Sequence, residues 1–63
     1  MADLSIQNEG SIFLLHPLTE AGRDWIAQNI PDDAPMFGNA VAVEHRFIGD
    51  IADGAINDGL EVE

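Results

Sequence analysis

The spacing of apolar residues along this chain switches from alternation to a three-or-four-residue repeat and back, the signature of a mixed strand and helix domain. Leu4-Ser5-Ile6 alternates and predicts a short edge strand, and Asn8-Glu9-Gly10 supplies turn chemistry after it. Residues 11–15 include four consecutive apolar side chains, Ile12, Phe13, Leu14 and Leu15. Such a run predicts a central strand covered on both faces. Pro17 lacks an amide donor and biases His16 towards extended backbone, so the strand should end there. Thr19 has the character of an N-cap, and Glu20 follows in the first turn, where the helix dipole favours an anion. Ala21, Trp25, Ile26 and Ile30 recur at helical spacing and predict one buried stripe, closed by Pro31. Gly22 weakens that helix and marks a place where it packs closely on the sheet.

Residues 31–38 carry two prolines and the Asp32-Asp33 pair and read as an acidic surface loop, with Met36 and Phe37 expected to tuck against the core. In residues 40–44, Val41 and Val43 share one face and Ala40 and Ala42 the other, a second strand pattern. His45-Arg46 opens a second helix whose apolar face is Phe47, Ile48, Ile51, Ala55 and Ile56, with Ala52 beside them. Asn57-Asp58-Gly59 is a helix stop, and Leu60 and Val62 alternate with Glu61 and Glu63 in a short final strand. The order is strand, strand, helix, strand, helix, strand. The expected fold is α+β: a small single-domain sandwich of a three- to four-stranded sheet with both α-helices packed on it.

Composition changes this picture in one respect, which is charge. Twelve carboxylates face two arginines and no lysine in 63 residues, a formal net charge of −10. Self-repulsion of that size destabilises a compact domain, and solubility alone requires less. The apolar fraction of 46% nevertheless supports a folded core rather than disorder. With no cysteine, neither a disulfide nor a thiolate-bound metal supplements that core, and a cytosolic setting is consistent. No apolar run approaches the roughly 20 residues that span a bilayer, and Met1-Ala2-Asp3 does not open a secretory signal. Phosphate repulsion argues against direct nucleic-acid binding, and anionic membranes are disfavoured equally. The favoured partner is a basic protein surface, met by a monomer.

Helical periodicity places the charges. Glu20 and Asp24 are spaced i,i+4, opposite the Trp25–Ile26 stripe, while Asp50 and Asp53 are spaced i,i+3 with Asn57 completing their face. Side chains at these spacings have Cβ atoms about 5–6 Å apart, so like charges there are locally unfavourable. Asp32, Asp33 and Asp58 add charge in loops, and Glu61 and Glu63 at the end. Helices lying side by side would turn Glu20, Asp24, Asp50 and Asp53 into neighbouring acidic rows beside Asp32 and Asp33. Such rows imitate a nucleic-acid backbone, which a basic groove reads chiefly as charge and shape. Two other accounts of the charge are a plain solvated face and adaptation to high salt.

Other chemistry finds little support. His16 and His45 are the only histidines, and adjacent Glu44 and His45 would point apart on a strand, so no metal site is expected. Asp50-x-x-Asp53-Gly54 lacks the ligand alternation of a calcium loop. Ser5 and Ser11 lie outside any nucleophile elbow, and neither a P-loop nor a dinucleotide fingerprint occurs. No cofactor and no catalysis are expected. Arg23 can pair with Glu20 and Arg46 with Asp50 on the surface; either arginine is alternatively an interface anchor. Trp25 reads as core. If the helices cover the Ile12 face of its strand, Phe13 and Leu15 become an exposed apolar surface for a regulatory or antitoxin-like partner.

Residues 10–62 carry two stretches, Leu15-His16-Pro17-Leu18-Thr19-Glu20-Ala21-Gly22-Arg23-Asp24-Trp25-Ile26 and Val43-Glu44-His45-Arg46-Phe47-Ile48. In these the chain resembles a group of small acidic bacterial and phage-borne proteins. The shared motifs are structural in character. In size and charge the chain is also similar to anti-CRISPR proteins, phage inhibitors of bacterial CRISPR effectors, among them inhibitors of type I Cascade. Several such inhibitors act as DNA mimics. The resemblance implies a cytoplasmic inhibitor in a bacterial host. Its acidic face would occupy the groove through which Cascade engages DNA, with Glu20, Asp24, Asp32, Asp33, Asp50 and Asp53 as contact residues.

Overall fold

A computed structural model describes residues 1–63. In chain order the elements are β1 (Leu4–Asn8), β2 (Ile12–Pro17), α1 (Glu20–Asn29), β3 (Met36–Phe37), β4 (Ala40–Glu44) and α2 (His45–Asn57). The four strands form one antiparallel sheet in the order β1-β2-β4-β3, with both helices packed on it, a small α+β domain.

Register decides which face the helices cover. Ile6 lies opposite Leu15, Leu15 opposite Val41, and Phe13 opposite Val43, so the largest apolar side chains of three strands share one face. Leu4, Leu15, Val41 and Val43 join Trp25 of α1 and Ala55 of α2 in the core. Burial of each larger side chain contributes about 1.5–3 kcal/mol. The helices therefore cover the Phe13–Leu15 face, so the condition under which these two residues would form an exposed contact surface is not met. Leu15 is fully buried, and Phe13 packs against His45 with the rings tilted and their centroids 4.6 Å apart. Ile12 and Leu14 lie half-buried on the side that carries no helix, so β2 is covered on one face rather than two.

The helix ends follow from their caps. Thr19 is extended (φ −131°, ψ 168°), and its Oγ1 accepts the Gly22 N–H at 3.1 Å. The buried positions of α1 are Gly22 and Trp25, with Ile26 and Ile30 partly buried, while Ala21 is exposed. Trp25, Ile26 and Ile30 of the expected stripe thus face inward, and only its first member differs, Gly22 replacing Ala21 because Gly22 sits against the Asp3 backbone. The α2 helix ends in paired bonds from Leu60 N–H to the Ala55 carbonyl and from Gly59 N–H to the Ile56 carbonyl, both 3.0 Å. This is the Schellman arrangement, and Gly59 holds the left-handed φ of +94° that it requires.

Three further expectations are corrected. Met36 and Phe37 do not tuck into the core: they form the edge strand β3, joined to β4 through Gly38 and Asn39, and are 51% and 59% exposed. The stretch at residues 60–63 is too short for a regular strand. It bridges β1 in parallel at Leu4 and Val62, with Leu4 N–H to Glu61 O, Glu63 N–H to Leu4 O and Ile6 N–H to Glu63 O at 3.0–3.1 Å. As a result β1 is not an open edge. Phe47 and Ile56 of α2 are about half exposed, leaving Ile48, Ile51, Ala52 and Ala55 as its inward residues.

Candidate acidic interface

Every carboxylate except Asp3 is exposed. Glu20 and Asp24 lie one turn apart on α1, Asp50 and Asp53 on α2, and Asp32 and Asp33 at the tip of the turn closed by Ala34 N–H to the Pro31 carbonyl at 3.1 Å. Only two carboxylates have a cationic partner. The Met1 amino group lies 3.4 Å from Glu61, and Arg46 Nε lies 3.5 Å from Glu44 Oε2. The expected pairs Arg23–Glu20 and Arg46–Asp50 are not formed. Arg46 turns back towards β4 and lies over the Phe47 ring, 4.9 Å from its centroid, whereas Arg23 borders a hollow with Pro17, Ile26 and Met36. The six nominated residues thus carry negative charge that no side chain of the protein neutralises.

The helices meet at Trp25, whose Cζ2 faces Gly54 and whose Nε1–H donates to Asp58 Oδ2 at 2.8 Å. Four of the acidic residues border two separate hollows. Asp24 and Asp58 border a polar cleft of about 580 Å³ beside Trp25, with Gln28 and Asn29. Asp50 and Glu44 border a more apolar groove of about 360 Å³ between the end of α1, residues 31–35, β4 and the first half of α2. Asp24 and Asp58 thus share one hollow, and Asp50 and Glu44 another. Glu20, Asp53, Asp32 and Asp33 line neither. Sequence reasoning passed over Glu44, Asp58 and Phe47 as interface residues, because strand end, helix stop and core are their local signals.

Asp3 differs from the other carboxylates. Its Oδ1 accepts the Thr19 hydroxyl at 2.7 Å, and its Oδ2 accepts the Glu61 N–H at 3.0 Å. The Glu61 amide, then the Thr19 hydroxyl, hold its pKa below the ordinary carboxylate value. Asp3 is a structural clasp between β1, the start of α1 and residues 60–63.

His16 Nε2 lies 2.9 Å from Gln7 Oε1 on the face without helices, and His45 begins α2 against Phe13, so the two imidazoles do not converge. No three metal-capable side chains come together. No helix is long and apolar enough to cross a membrane. No protein family, curated protein or solved structure matches this chain.

Proposed function

We propose that this protein is a non-enzymatic inhibitor that occupies the basic nucleic-acid-binding groove of a partner protein with its carboxylate surface. The resemblance to anti-CRISPR proteins names a type I Cascade effector in the bacterial cytoplasm as that partner. One observation carries the reading: ten of twelve carboxylates lack a cation within 4 Å, and all of these but Asp3 are exposed. A surface so charged weakens its own domain, and a complementary partner relieves that repulsion. Glu20, Asp24, Asp32, Asp33, Asp50 and Asp53 supply the contacts and require no change in the fold beneath them.

The test is competition. Purified type I Cascade is offered target DNA in the presence of increasing protein, at NaCl concentrations from about 50 to 300 mM. The protein should displace DNA competitively, and its own affinity should fall steeply as salt rises. Paired Glu20→Gln/Asp24→Asn and Asp50→Asn/Asp53→Asn variants should inhibit less while melting no lower than the parent. Absence of competition removes Cascade as the partner. Binding indifferent to salt removes the electrostatic mechanism as well.

A further inference from the structure

The groove beside α2 has an apolar floor that charge mimicry leaves unexplained. Ile30, Ala34, Val41, Val43, Phe47 and Ile51 are among its lining residues, around a space of about 360 Å³. That is the small end of ligand-sized clefts and admits one or two large side chains. Glu44 and Asp50 stand on its wall, and the Asp32–Asp33 turn belongs to the loop that forms its rim. A nucleic-acid backbone offers no apolar hollow, so this part of the surface is built for something other than imitation of phosphates.

The chain itself shows how a cation is received here. Arg46 reaches Glu44 at 3.5 Å and lies over the Phe47 ring at 4.9 Å. An aromatic face beside a carboxylate is a favourable setting for a guanidinium. A second copy of the chain, also carrying −10, is repelled, and so is a nucleic acid. We infer that the groove anchors a basic partner segment by taking one large apolar side chain between Ile30, Phe47 and Ile51, while a flanking arginine binds Glu44, Asp50 and the Phe47 face in place of Arg46. The inference rests on the basic-partner reading above and adds to it the anchoring residue and the side-chain chemistry recognised.

Three labelled synthetic peptides test it against the full-length protein by fluorescence anisotropy. One is an amphipathic helix with leucine at i, i+3, i+4 and i+7 and arginine at the other positions. The second replaces leucine by serine, and the third replaces arginine by glutamine. The leucine–arginine peptide should bind at least about tenfold more tightly than either control, the ratio expected of one buried anchor. Phe47→Ala should lower that affinity about tenfold and weaken the serine peptide, which loses only the aromatic face under its arginine, by much less, with Phe47→Leu intermediate. Because Phe47 is 47% exposed, the variant should melt close to the parent. Arg46→Ala should raise affinity for the leucine–arginine peptide by vacating the carboxylate. Equal, salt-sensitive binding of both arginine peptides overturns the groove and leaves the charged-surface reading standing. Equal binding of the glutamine peptide overturns the arginine subsite. Binding of no peptide counts against both readings, as does a cationic detergent that binds while the peptides do not.

Discussion

Replacing Gly22 by alanine should destabilise this protein, although alanine is the better helix former by about 0.8–1 kcal/mol. A Cβ at this position would fall well inside contact distance of the Asp3 carbonyl oxygen, 3.1 Å from the Asp3 carbonyl carbon and 3.2 Å from Leu4 Cδ2. None of these atoms is free to give way. The Asp3 carbonyl accepts the Leu18 N–H at 2.8 Å, the Asp3 carboxylate holds Thr19 and Glu61, and Leu4 is fully buried. Overpacking against such a wall costs about 1–3 kcal/mol, and displacing α1 enough to escape it sacrifices the Thr19 cap, about 1 kcal/mol more. Net of the propensity gain, the loss should be about 1–3 kcal/mol. That is a large share of the roughly 3–9 kcal/mol expected for a domain of 63 residues. At about 4–8 °C per kcal/mol, Tm should fall by roughly 5–20 °C in circular dichroism melts. Gly49→Ala is the matched control, since Gly49 lies in α2 with nothing within 4 Å of the added carbon. It should gain about 0.5–1 kcal/mol. Two glycine substitutions of the same chemistry should thus move Tm in opposite directions; if Gly22→Ala melts at or above the parent, α1 does not approach the Asp3 backbone so closely.

Thr19→Ala should cost about 1–2 kcal/mol by urea unfolding, since the hydroxyl both caps α1 and donates to Asp3; Thr19→Ser should restore most of it. Asp58→Ala leaves the indole N–H of Trp25 without its partner, which should cost about 1–2 kcal/mol and shift tryptophan emission, whereas Asp58→Asn keeps an acceptor and should stay near the parent. Asp3 has its pKa lowered from 3.8, so its contribution is complete above that value and is lost as pH falls through the lower folded-state pKa. Acid titration of Asp3→Asn should therefore lack one component of the parent's loss of stability below that pH. Raising NaCl from about 20 to 500 mM should raise Tm by screening unpaired carboxylates, and a flat or falling Tm would contradict the repulsion argument.

Local chemistry made the element order readable. Thr19, Pro31 and Gly59 punctuate the helices, and Trp25 and Ala55 mark their inward sides. The covered face of β2 was not readable there, because Ile12, Phe13, Leu14 and Leu15 give both faces apolar residues. Pairing with Val41 and Val43, rather than Ala42, settles it. Two-residue β3 is too short to show a period, and the partner of Arg46 depends on rotamer and strand end rather than helical spacing. Exposure of the acidic residues followed from periodicity. The grouping of four of them around two hollows did not, since it depends on how α1 and α2 pack on the sheet. Asp3 gave no local signal at all: the backbone N–H that donates to its carboxylate lies 58 residues away, at Glu61.

The sheet order has a mechanical consequence. The β1–β2 hairpin comes from the first part of the chain, yet β4 grips one of its long edges and residues 60–63 grip the other. The two portions are connected only through the exposed Asp32–Asp33 turn, while backbone bonds on both flanks of the hairpin, and the shared core above it, hold them together. A protease that cuts at that turn nicks the chain without dividing the molecule, and the two fragments separate only when the sheet itself is unzipped.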